Sequence, residues 1–216
     1  MASIDEERTD AGAAASPRRT WRYGELTRDH VVEAALELTL REGLGALSMR
    51  KLADELGISS MNAYYHVPNK RALLDLVADA VLGQVPAPPD DRPWDQQLAA
   101  LFEGGREVLL RYPGVAEHLL VRTEGHANEE RLYRIITGIL RSAGFDREVS
   151  DRTQRTMAYL LFGAVTSELA TASAGDDVAT MSFTDDEQVF RFGLDLMLDG
   201  LRTRRRRAQR AAARTR

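Results

Sequence analysis

Apolar residues recur along this chain at helical spacing. Behind Thr27, a good side-chain cap, Val31, Ala34, Ala35, Leu38 and Thr39 fall on one face of a helix that should reach about Glu42 and stop at Gly43. Two short patterns follow. In the first, Leu52, Ala53 and Leu56 share a face behind Ser48, and Gly57 then breaks the run in the way that lets a chain turn sharply. The second starts at once from Ser59, turns Ala63 and Val67 inward and ends at Pro68, so that Ser60, Met61, Asn62, Tyr64, Tyr65 and His66 are left without a core to fill. Asn69 caps a fourth pattern through about Leu82, with Leu73, Leu74, Val77, Val81 and Leu82 making a continuous apolar face.

Four prolines within residues 85–93 forbid a continuing helix, and a domain boundary is expected there. Beyond it, a helix from Asp95 to about Arg111 turns Leu98, Leu101, Phe102, Val108 and Leu109 inward. Tyr112-Pro113-Gly114 is a turn, and a short helix runs from Val115 to about Thr123. Asn128 is the expected cap of the next, with Leu132, Ile135, Ile136, Ile139 and Leu140 inward and Gly144 closing it. Two long helices, about Val149 to Ala172 and Thr184 to Arg204, flank a Gly-Asp-Asp loop. Nothing alternates with period two, so the fold class expected is all-α, with no sheet.

Length and composition narrow the class. A chain of 216 residues can bury a real core, and without cysteine it has neither disulfides nor thiolate metal ligands. No apolar run approaches the roughly 20 residues that span a bilayer, and the N-terminus lacks a signal-peptide core, so a soluble cytoplasmic protein with no membrane partner is expected. Charge is unevenly distributed. Residues 76–201 hold 11 basic and 21 acidic side chains, whereas residues 202–216 hold eight arginines and no acid. An acidic body repels phosphate, which confines any nucleic-acid contact to the N-terminal unit and the basic ends.

Two helices joined by so short a glycine turn cross steeply, and the second then projects its first residues as a major-groove reading head does. Arg50 has the chemistry to reach guanine O6 and N7, Asn62 to pair with adenine, Ser60 to meet several base edges and Met61 to touch a thymine methyl. Tyr64, Tyr65 and His66 on the same face suit backbone oxygens or thymine methyls. A packed helix pair, with Arg50 in a surface salt bridge, is the alternative.

The stretch resembles the N-terminal module of the tetracycline-repressor (TetR) family, in Leu26-Thr27, Gly43, Leu47-Ser48, Arg50-Lys51-Leu52-Ala53, Leu56-Gly57-Ile58, Tyr64-Tyr65-His66-Val67 and Asn69 to Leu74. The resemblance implies a homodimeric repressor that binds a double-stranded DNA operator and is released by an unidentified small-molecule inducer, with no cofactor and no enzymatic activity. It also implies phosphate contacts by Thr27, Tyr64 and Lys70. The domains expected are a disordered arm 1–25, a three-helix helix-turn-helix DNA-binding domain 26–84, a Pro-rich linker 85–93, a helical ligand-binding and dimerisation domain 94–204 and a basic tail 205–216. In the family the last two long helices pair with their symmetry mate; the broad apolar faces here agree, though they also suit central helices of a monomer.

Trp94, Phe102, Tyr112, His118, Tyr133, Tyr159 and Phe162 are the candidates to line a ligand cavity, or are plain core. The sequence departs from tetracycline-binding members after the fourth helix, where the run beginning Val85-Pro86 stands in place of their drug-binding histidine, so a tetracycline inducer is not expected. Glu117, His118, Glu124 and His126 lack the spacing of metal ligands on one helical turn, and no metal is expected. No phosphate loop, nucleophile elbow or HExxH pattern is present. Pro17 to Tyr23 reads as a minor-groove arm or as a solvated tail, and Arg202 to Arg216 as a frayed extension of the last helix, the favoured reading, or as a source of nonspecific phosphate attraction. The competing function is a helical interaction or enzyme-like protein in which the helix-turn-helix is scaffolding. Operator sequence, target genes, inducer identity and an activating role are not legible.

Overall fold

The computed structural model describes residues 26–122, 125–174 and 186–214, and every regular element among them is helical. The expectations for the arm 1–25, for Glu124 and for the Gly-Asp-Asp loop lie outside the described residues.

Helix α1 (Arg28–Glu42) is capped by Thr27, whose hydroxyl accepts from the His30 amide, and it buries the five residues that its spacing singled out. Gly43 takes φ +80°, which side-chain-bearing residues rarely adopt, and a single 3-10 turn, Leu44–Ala46, follows. Helices α2 (Met49–Leu56) and α3 (Ser60–His66) are joined at Gly57. There the Ile58 amide donates to the Ala53 carbonyl and the Gly57 amide to Asp54, the paired bonds that end a helix on a left-handed residue. Ser48 and Ser59 each accept an amide three residues on.

Helix α4 (Lys70–Gly83) packs on α1 on one side and on α5 (Trp94–Leu110), α6 (Val115–Val121) and α7 (Ala127–Ser142) on the other. Its buried Leu73, Val77, Ala78, Val81 and Leu82 belong to one continuous core that runs through both halves of the molecule. The long α8 (Arg147–Ala174) packs on α5, α6, α7 and α9 (Asp186–Arg214). A second link joins the halves: the Leu44 amide donates to the Pro113 carbonyl at 2.8 Å, where Gly114 turns the chain at φ +86°.

Several element ends differ from the expectation. Helix α7 begins at Ala127 and has no side-chain cap of its own. Its free amides at Asn128 and Glu129 are instead taken by Asp79 of α4, at 2.9 and 3.3 Å. A cap supplied from another helix leaves no local sequence signal. Helix α8 starts at Arg147 because Asp146 accepts the Val149 amide. Helix α9 continues ten residues past Arg204, as the helix-extension reading of the tail expects, through good helix formers, with Arg205 donating to the Ala143 carbonyl and lying over the Trp94 ring. The proline-rich stretch is fastened at several points. Val85 is buried, Arg131 holds the Leu82 and Val85 carbonyls at 3.1 Å, and Gln97 holds the Arg92 carbonyl at 2.7 Å.

Candidate nucleic-acid interface and ligand recess

Helix α3 is too short to be stable alone, and Ala63 and Val67 are the buried residues that seat it. The rest of the helix faces solvent. Met61 is 78% exposed, Tyr64 48% and Tyr65 89%; Ser60 and Asn62 are exposed, and His66 is half-buried with its ring edge-on to Tyr65. Arg50, on α2, has 88% of its side chain exposed, and Asp54 lies 3.9 Å away. Lys70 is exposed at the first position of α4, one residue after its cap Asn69. Thr27 is exposed, but its backbone amide already donates to His30 Nδ1 at 3.2 Å, so a phosphate there would have to displace the imidazole. Behind this surface, Arg41 pairs with Glu55 and Lys51 with Glu42, tying α1 to α2.

On the other side of α4 lies a narrow recess of about 90 Å³, or about 640 Å³ when the gaps between its side chains and the solvent at its mouth are counted. Leu82 and Val85 form one wall, α5 supplies Leu101, Phe102, Gly105 and Leu109, and α7 and α8 supply Tyr133, Ile136, Gln154, Leu161 and Phe162. Gly105 permits the close approach of Leu161, whose methyl would lie 3.3 Å from an added Cβ. Tyr133 donates to Asp151 at 2.7 Å. That bond, with some burial and the nearby charge of Asp151, holds its hydroxyl above the ordinary phenol value, so it stays protonated. A second, more open hollow shares Glu129, Tyr133, Gln154, Ala158 and Phe162 with the recess and adds Arg122, His126 and Tyr159.

Of the seven residues expected to line a cavity, Phe102, Tyr133 and Phe162 do so, and Tyr159 lines the adjoining hollow. The other three are placed elsewhere. Trp94 packs edge-on to Phe145 at 5.5 Å, Tyr112 is buried and exchanges hydrogen bonds with Gln84, and His118 lies 2.7 Å from Asp75 of α4. Each satisfies a polar tip or fills a gap between helices, a need that aromatic composition does not reveal. Arg122, Glu129 and Gln154 were not anticipated. They are isolated polar residues in a charged sequence, and only the fold brings them together. Among the described residues no group of three or more acidic or histidine side chains is placed to hold a metal.

Comparison with known proteins places this geometry. The model described as "Bacterial regulatory proteins, tetR family" matches residues 31–77, and "Tetracyclin repressor-like, C-terminal domain" matches residues 167–205. The class D tetracycline repressor protein of Escherichia coli is 31% identical over 198 residues, which cover 81% of this chain and 88% of the repressor. This chain belongs to the TetR family. An HTH-type transcriptional regulator of Saccharopolyspora erythraea is 35% identical over 144 residues, and the match covers 66% of this TetR-family chain and 61% of that relative. Among solved structures, apo ActR from Streptomyces coelicolor superposes with a TM-score of 0.75 at 26% identity, covering 85% of this chain and 98% of ActR. BioQ with its double-stranded DNA operator superposes at 0.66 with 28% identity, covering 82% and 98%. As a TetR-family member the protein is a DNA-binding, ligand-responsive transcription regulator, and the reading of its helix-turn-helix as mere scaffolding is not favoured. Among the described residues, no helix is long and apolar enough to cross a membrane.

Proposed function

We propose that this regulator is a cytoplasmic homodimeric repressor, without enzymatic activity, that leaves its operator when a small molecule enters the recess behind α4. The observation that supports DNA recognition by α3 is its division into two faces: Ala63 buried, and Met61, Tyr64 and Tyr65 turned to solvent although all three are large. A helix gains nothing in water from such a face, and a major groove offers methyl groups, base edges and phosphates to match it.

In this reading residues 26–84 form the DNA-binding domain, 94–204 bind ligand and dimerise, and 85–93 connect them. Arg50, Ser60, Met61, Asn62, Tyr65 and His66 meet base edges or thymine methyls, while Thr27, Tyr64 and Lys70 meet phosphates. One seven-residue helix reads few base pairs. Two heads about 34 Å apart are needed for useful specificity. The second head comes from a partner seated on α8 and α9, whose outer face leaves Tyr159, Val189, Phe192 and Leu196 exposed.

Selection of binding sites from random duplex DNA, followed by titration of the selected site across a salt series, tests the reading. The site should be a palindrome, and the logarithm of affinity should fall linearly with the logarithm of salt. Arg50→Ala should cost about 1–3 kcal/mol and relax preference at one base pair, whereas Lys70→Ala should weaken all sequences alike. Selection that enriches no sequence would overturn it.

A further inference from the structure

The hollow that adjoins the recess holds two buried polar atoms without a hydrogen-bond partner. Arg122 follows the last residue of α6, its side chain only 3% exposed; Nη2 donates to Glu129, while Nη1 is buried without a partner. His126, at the start of α7, has a buried and unpartnered Nε2. Both side chains line the same space, next to Glu129, Tyr133 and Gln154. Deeper in, the walls are apolar, with Phe102, Leu161 and Phe162 prominent.

A guanidinium N–H kept dry and unpaired is costly, and native proteins seldom leave one so unless something else supplies the acceptor. An oxygen acceptor bearing negative charge suits a guanidinium best. We propose that the recess takes a mainly apolar small molecule carrying one anionic oxygen group, received by Arg122 Nη1 with His126 Nε2 beside it, while the apolar body lies against Phe102 and Phe162. The proposal rests on the reading of the recess as the ligand site and names the class of ligand. It also supplies a route to the reading head. An anion on Nη1 shares the guanidinium charge with Glu129 on Nη2 and weakens that pair, and Glu129 sits in the first turn of α7, whose amides are held by Asp79 of α4.

The test uses the purified full-length protein and two fluorescent probes of nearly the same body, anionic 8-anilino-1-naphthalenesulfonate and uncharged N-phenyl-1-naphthylamine. The wild type should prefer the sulfonate. Arg122→Met should weaken the sulfonate by roughly tenfold or more and leave the neutral probe within about twofold. Glu129→Gln, which removes the negative charge next to the site, should tighten the sulfonate alone. Ala158→Trp, which fills the recess where its two parts join, should weaken both probes. If Ala158→Trp weakens both while Arg122→Met changes them equally or not at all, the anion preference is overturned and the recess stands. If Ala158→Trp changes neither, the probes bind elsewhere, and the recess reading falls with the proposal. Should Arg122→Met lose its helical circular dichroism, Glu129→Gln decides alone: an unchanged ratio between the probes overturns the proposal.

Discussion

On α3, neighbouring residues face opposite demands. Tyr65 is almost wholly in water, so Tyr65→Ala should alter folding stability by no more than about 0.5 kcal/mol in urea titration while weakening operator binding. Ala63 is buried, and Ala63→Leu should cost about 1–3 kcal/mol by overpacking. Equal stability losses in the two variants would mean that the exposed face is structural. This division was legible in the sequence, because a period of 3.6 sorts seven residues into two faces without knowledge of the partner. The Asp95–Arg202 pair was not, since the two residues lie 107 positions apart. Burial pushes the Asp95 carboxyl up, but the Arg202 hydrogen bond, backbone amides of the first turn of α5 and the Arg202 charge outweigh it and hold the group below its usual value. A lowered folded-state value gives stability that is complete above the unfolded value and lost as pH falls through the folded one. The stability gap between wild type and Asp95→Asn, about 1 kcal/mol at pH 7 for a partly exposed pair, should therefore close below about pH 4 in pH-dependent thermal melts. A gap that is constant with pH would assign the loss to packing.

Among the elements, the joint at Gly57 and the lever α4 matter most to the proposed switch. Gly57 has φ +67°, so Gly57→Ala should cost about 1–2 kcal/mol and lower operator affinity by tilting α3, even though no DNA contact is removed. The glycine was readable from sequence because local backbone demand and residue type coincide there. The connections of α4 were not, since they run between helices. Asp75 meets His118, Asp79 caps α7, and Arg131 reaches the carbonyls at the end of α4. Asp79→Ala should leave operator affinity nearly unchanged while reducing by several-fold the effect of a bound inducer on it, measured by fluorescence anisotropy of a labelled operator with and without ligand. An inducer effect of undiminished size would place the coupling elsewhere, with the Leu44–Pro113 contact the next candidate.

The molecule as a whole exposes more apolar surface on α8 and α9 than a monomer needs. Phe192 is 66% exposed and Leu196 56%, one helical turn apart, so the double variant Phe192→Glu, Leu196→Glu should sediment as a monomer and lose most of its operator affinity. A dimer that survives both acids would move the interface. The sequence signalled this face only as excess apolarity, because inner and outer stripes of a long helix look alike until a neighbour claims one. Helix α9 spans 29 residues, roughly 43 Å, and its last turns carry Arg206, Arg207, Arg210 and Arg214 into solvent.

The core threaded through α4, with the clasp between Leu44 and Pro113, bears on how such a regulator can be rewired. A graft that joins this reading head to another protein's sensor at the proline run would strip one flank of α4 and sever the clasp, inviting aggregation. A graft that keeps α4 and matches new residues to Asp75 and Asp79 should preserve solubility and the transmission of the signal, so the useful splice lies on the surface of that helix and not at its end.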